Sequence, residues 1–228
     1  MSDAGSRERQ ADELREQAIQ AATGGKFDEA IALYEKSLAL NPSNFRTYAE
    51  RSISRALACK DLGQALEDAE MSLALKVTAD GYEAKGMSLK ALDRLNEAVI
   101  AFDEALKIAD GDYDTCRLLR QVEGNTYNDM AKKAYSAGDY TEAARLYGIA
   151  HSSWPFEPTY LANRSDARRQ LEQWDLAVAD AEEKARAYSG QRRYAEAVSA
   201  INGGLALDND DQELKDLKVS RLIKFKML

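Results

Sequence analysis

His151 is the chain's single histidine. It sits beside Ser152 and Ser153, with no cysteine or second histidine at ligand spacing. A nucleophile activated by a histidine base would have to use it, yet nothing nearby is placed to orient the ring. The residue reads as a polar group in the turn after a helix. Asp110, Asp112 and Asp114 resemble the start of a calcium loop, but Thr115 stands where the sharp turn requires glycine, and Gln121 where a bidentate glutamate should close the site. These acids read as a solvated linker. Asn163, Arg164 and Ser165 match a glycosylation acceptor, but inside a helical pattern, so the match is accidental. Cys59 and Cys116 lie far apart and suit reduced thiols on packed helix faces. No Gly-rich phosphate loop occurs. The expectation is no enzyme, no metal site and no cofactor.

What recurs instead is a packing pattern. An aromatic residue or Leu is followed after two residues by Ala, and after three more by another apolar or small residue. It reads Phe27, Ala30, Tyr34; Leu62, Ala65, Ala69; Leu95, Ala98, Phe102; Tyr140, Ala143, Tyr147; Trp174, Ala177, Ala181; Tyr194, Ala197, Ile201. Successive Ala positions are 35, 33, 45, 34 and 20 residues apart, and a period near 34 is one helix-turn-helix unit. Ala18, Gly86, Ala131 and Ser165 stand twelve positions before their Ala, where two helices must cross closely. Ser52 stands one farther back, as though the turn at Lys60 and Asp61 held an insertion. Pro42 and Pro155 stand twelve after, where a second helix stops. Gly25 and Gly138 fall at inter-helix turns that favour positive φ.

These positions together resemble the tetratricopeptide repeat family over residues 8 to 210. The resemblance implies an all-α fold, a right-handed superhelical solenoid of antiparallel helix pairs with about five to six repeats in two sub-arrays. Composition agrees: Leu, Ala, Glu and Lys dominate and only three prolines occur.

Residues 1–7 are expected to be a disordered N-terminus and 8–112 a first array of three repeats. Its helices are predicted over Glu8–Thr23, Phe27–Leu40, Phe45–Cys59, Leu62–Leu75, Ala79–Leu92 and Leu95–Ile108. The 45-residue interval is about eleven residues longer than one repeat. The surplus falls in Asp114–Glu123, which carries Leu118, Leu119 and Val122 at helical spacing. Asp114–Ser136 is therefore predicted to be one long or kinked helix, with 113–123 connecting and covering the third repeat. The second array spans 124–210, with helices over Tyr140–Ser152, Thr159–Leu171 and Trp174–Tyr188 and a shortened final repeat. There either the chain turns at Ser189, Gly190 and Gln191 into Arg193–Leu205, or about fourteen residues of an ordinary repeat are missing. The tail 211–228 reads as an amphipathic capping helix.

The formal net charge is −8, which argues against a nucleic-acid partner. Residues 1–112 carry 14 basic and 21 acidic side chains, net −7, leaving −1 for the rest. No stretch is apolar enough to insert in a membrane, and residues 1–10 lack the apolar run of a secretory signal. The expected location is the cytoplasm, with the nucleus as the alternative.

Stacked helix pairs turn slightly on one another, so their first helices line a concave groove suited to a peptide or a partner helix. The groove-facing candidates are Arg15, Ile19, Glu50, Ile53, Glu83 and Met87 in the first array, and Asn128, Lys132, Asn163 and Asp166 in the second. Chaperone adaptors of the family grip acidic chaperone tails with Lys, Asn, Asn, Lys and Arg. The resemblance places those roles on Arg15, Ile19, Glu50, Asp80 and Ala84, of which only Arg15 keeps the charge. In the second array the first three fall on Asn128, Lys132 and Asn163. The expected function is a non-catalytic scaffold whose acidic first array takes a basic or helical partner segment. One alternative is an adaptor capturing acidic C-terminal tails, with a molecular chaperone as partner, through 124–210. Another is a self-associating structural protein.

Overall fold

The computed structural model describes residues 3–190. Among them are ten helices and no strand. They divide into two compact units, Met1–Thr126 and Tyr127–Leu228. In the first, α1 (Asp3–Thr23) pairs with α2 (Phe27–Leu40), α3 (Phe45–Ala58) with α4 (Leu62–Leu75), and α5 (Ala79–Ala91) with α6 (Leu95–Ile108). A single helix, α7 (Tyr113–Ser136), follows, and the second unit continues with α8 (Tyr140–Ser153), α9 (Pro158–Gln170) and α10 (Trp174–Gly190).

The recurring alanines explain the pairing. Ala30, Ala65, Ala98, Ala143 and Ala177 are all fully buried, as are Ala18, Ser52 and Ala131 at the crossing positions. A small side chain lets two backbones approach closely, and the aromatic partner then fills the space beside it. At Gly86 the approach is tightest: an added Cβ would lie 2.4 Å from Cε1 of Phe102. Where the crossing residue is serine its hydroxyl finds a partner on another helix, within the pair for Ser165 and in the next pair for Ser52. Ser165 donates to the Ala177 carbonyl at 2.8 Å, and Ser52 meets the Ser88 hydroxyl at 2.9 Å.

Turn geometry repeats as well. The residue five before each alanine has positive φ in four repeats: Gly25 at 75°, Asp93 at 66°, Gly138 at 82° and Glu172 at 57°. Repeat two departs from this. Its first helix has 14 residues where α5 and α9 have 13, and the chain leaves it through left-handed Cys59 and Asp61. The expected insertion thus lies in the helix's last turn rather than in the connection. Cys59 is exposed there, not on a packed face.

Other expectations are corrected too. Helix α1 starts at Asp3, so residues 3–7 are helical rather than disordered. The long helix is one element of 24 residues. Its early part belongs to the first unit, with Leu119 buried against Phe102 and Leu89, and Cys116 and Val122 packing beside it. Its later part supplies Ala131 to the core formed with Ala143, Leu146 and Tyr147. Asp112 caps its start, accepting from the Asp114 and Thr115 amides at 3.2 and 3.3 Å. Ser189 and Gly190 are helical rather than a turn. The shortened repeat around Tyr194, Ala197 and Ile201 and the capping segment 211–228 lie outside the described residues.

The Gly86 contact yields a stability prediction. Alanine gains about 1 kcal/mol of helix propensity over glycine, whereas overpacking a tight contact costs about 1–3 kcal/mol. The distance to Phe102 makes the second effect the larger one. Gly86→Ala should therefore lower the urea midpoint, and an unchanged or raised midpoint would show that the ring can yield.

Candidate functional site

In the first unit α1, α3 and α5 present most of the predicted groove residues, and the structure brings two of them into direct contact. Arg15 donates from Nε to Glu50 Oε2 at 2.8 Å, and its Nη2 bonds the other carboxylate oxygen. Two parallel bonds on a planar fork make this the strongest kind of exposed or half-buried ion pair. Burial pushes the Glu50 carboxyl above its ordinary range, and Asp80 adds to that push, while Arg15 opposes it. The only cation at the five clamp positions is thereby already occupied.

Glu83 has a different environment. It is half-buried on α5 with no ion-pair or hydrogen-bond partner among the described residues. Burial, and then the nearby charge of Asp80, push its carboxyl up to about 6. A carboxylate held in this way attracts a cation brought by something else. Ile19, Ile53 and Met87 are half-buried as well, each packed on a neighbouring core cluster, so they floor the site rather than project from it. Ala84, at the fifth clamp position, is fully buried beside Ala49 and Ala69 and has no groove role.

The second unit carries a neutral counterpart of the Arg15–Glu50 contact. Asn163 on α9 donates from Nδ2 to Asn128 Oδ1 on α7 at 3.1 Å, with the same separation of 35 residues. Asn128 is only 7% exposed. Lys132 and Asp166 are exposed, and each is occupied on its own helix, by Asp129 at 3.6 Å and by Arg169 at 3.2 Å. His151 lies in the last turn of α8, its Nε2 3.2 Å from Glu183 Oε1.

Two residue sets escaped the sequence reading. Asp68 on α4 is buried between Arg51, whose Nη2 lies at 2.6 Å, and Arg55, which bonds its other oxygen. Arg55 also reaches Glu35 on α2 at 3.2 Å. Asp180 on α10, 1% exposed, accepts from Arg164 Nε at 2.9 Å and lies 2.6 Å from Arg168 Nη1. The signal was present. Arg-x3-Arg flanks the crossing serine in repeats two and five, and an Asp stands three after the Ala in both. Arg164 and Ser165, read as part of an accidental glycosylation match, are thus structural.

The tetratricopeptide repeat pattern matches residues 21–44 and 79–112. Over 117 residues the chain is 36% identical to Hsc70-interacting protein 1 of Drosophila melanogaster, covering 51% of this chain and 30% of that one. Over 153 residues it is 31% identical to serine/threonine-protein phosphatase 5 of Rattus norvegicus, covering 67% and 30%. The chain thus spans about a third of the length of these curated relatives. The MamA protein superposes with a TM-score of 0.57 at 19% identity, covering 81% of this chain and 95% of that one. That likeness speaks to the fold alone. Among the described residues no helix is long and apolar enough to cross a membrane.

Glu83 supplies a pH test. Below about 4.5 its carboxyl is protonated in folded and unfolded chains alike. Between there and about 6 the folded chain keeps a proton that the unfolded chain has released, so stability falls as pH rises through that window. Glu83→Gln should raise stability by about 1–2 kcal/mol at pH 7.5, with the gain closing by pH 4.5. Thermal melts at both values check this; a pH-independent difference would contradict the assigned environment.

Proposed function

From the premise that this chain carries tetratricopeptide repeats, we propose that its first unit holds a basic segment of a partner protein against α1, α3 and α5. One observation carries the reading. Glu83 is a half-buried carboxylate without a cation, next to Asp80, in a site whose Arg15 is bound to Glu50. An incoming Lys or Arg would relieve that unpaired charge, and Ile19, Ile53 and Met87 would offer apolar contact to its stem. The same acids repel a terminal carboxylate, so an acidic tail is disfavoured here. The scaffold itself does no chemistry in this reading. Its likeness to the phosphatase covers only 30% of that enzyme and brings no activity with it.

A second reading rests on a separate observation. The Asn128–Asn163 pair forms a polar, uncharged contact with Lys132 nearby on α7, and such amides can hydrogen-bond an extended peptide backbone. The relative named for interaction with Hsc70 makes a chaperone the partner to try first.

Fluorescence anisotropy with two labelled synthetic peptides separates these readings: an amphipathic one of alternating Lys and Leu, and one ending in Glu-Glu-Val-Asp. The Lys/Leu peptide should bind the full chain, weaken with salt, and weaken again as pH falls through about 6. Asp80→Lys with Glu83→Lys should reduce its affinity at least about tenfold, the scale of 1.4 kcal/mol. Undiminished binding by that double variant would remove the first unit as the site. Binding of the acidic peptide, abolished by Asn163→Asp, would favour the second reading.

A further inference from the structure

Arginines in this structure are almost all engaged. Arg15, Arg51, Arg55, Arg94, Arg145, Arg164, Arg168 and Arg169 have carboxylate partners, and Arg46 stacks on Phe45. Arg7 and Arg9 also interact with neighbours. Among the arginines between Arg7 and Arg169 only Arg117 and Arg120 have no such partner, and both are exposed on the early part of α7. Asp114 stands one turn before Arg117 without pairing with it. Asp112 is the helix cap, its carboxylate held by the Thr115 hydroxyl at 2.7 Å.

The surroundings of these two guanidiniums set them apart from ordinary solvated charge. Tyr113, Arg117 and Arg120 follow the i, i+4, i+7 spacing and therefore share one helix face. Tyr113 is 78% exposed, and Leu118, just round the helix, is 49% exposed. The opposite face of the same turns is fixed in the core through Cys116, Leu119 and Val122. The exposed face is thus held rigidly by a helix anchored from behind. Tyrosine and arginine are among the residue types that dominate protein interfaces, tyrosine because it brings a large contact area with few rotatable bonds and arginine because its planar fork is preorganised for paired acceptors.

We propose that the α7 face formed by Tyr113, Arg117 and Arg120, with Leu118 at its edge, is a docking surface for an acidic segment of a partner protein. Charge complementarity selects the occupant. The two forks are free to take carboxylates with two bonds each, while the neighbouring carboxyls of Glu50, Asp80 and Glu83 turn acidic ligands away from those positions. The aromatic ring and Leu118 take an apolar side chain between the acids. No residue of this surface is among the acids proposed to take a basic segment, so the chain would offer sites of opposite charge.

The probe is a fluorescein-labelled synthetic peptide of alternating Glu and Leu, titrated against the full chain at low and moderate salt. Wild type should bind. Arg117→Glu with Arg120→Glu should weaken binding at least tenfold, and Tyr113→Ala several-fold. Lys36→Glu, an exposed cation on α2 without a partner, should change it less than twofold. All substituted groups are exposed, and circular dichroism would verify the helical fold. The proposal is overturned by absence of wild-type binding, by equal binding to the double variant, or by an equal loss in Lys36→Glu, which would mean unspecific attraction. Loss on Asn163→Asp with the arginine variant unaffected would place the acidic ligand in the second unit and overturn it as well.

Discussion

Close approach of paired helices at one small residue per repeat is the constraint on which everything else rests. Most of these helices are not stable by propensity alone, since seven of the ten described helices have only 13 or 14 residues, near the limit at which isolated helices persist. They persist because each buries an apolar stripe in its neighbour, and the burial is efficient only if the backbones come near enough for Tyr34, Phe102 and Tyr147 to fill the gap. Gly86 under the Phe102 ring shows how little room remains. Once pairs are locked at that distance, the residues on the first helices are held in rows, and the site follows.

Buried charge is handled in two contrasting ways. Asp68 and Asp180 are taken out of water, but each is flanked by two arginines, so attraction offsets the loss of hydration. These braces join the two helices of a pair and, through Arg55 and Glu35, one pair to the next. Glu83 has no such compensation. A half-buried acid left without a cation is a destabilising arrangement, and such arrangements mark positions where function outweighs stability. The contrast supports reading Asp68 and Asp180 as framework and Glu83 as a binding group.

Equivalent positions in the two units have diverged in character while keeping their contact. Residues 35 apart meet in both, as Arg15 with Glu50 and as Asn128 with Asn163. An ion pair beside further acids gives one site a negative field; an amide pair gives the other neutral donors and acceptors. One backbone plan therefore displays two chemistries, because the framework depends on the small crossing residues and tolerates change at the rows between them.

The sequence by itself determined the helices and their pairing, because spacing of alanines, small residues and turn glycines is a local property that survives without knowing the neighbours. Phe27–Leu40, Leu62–Leu75 and Leu95–Ile108 are bounded as their patterns predict. What only tertiary structure decided is which polar groups face one another. Arg15 looked like a free cation until Glu50, far along the chain, was seen to occupy it. Ala84 looked like a groove position but is enclosed by Ala49 and Ala69, Cys59 left the core through a left-handed turn, and Arg117 and Arg120 stood out only once the partners of the arginines from Arg7 to Arg169 were visible. Partner choice between distant side chains depends on distance and on exclusion of water, and neither is written in the order of residues.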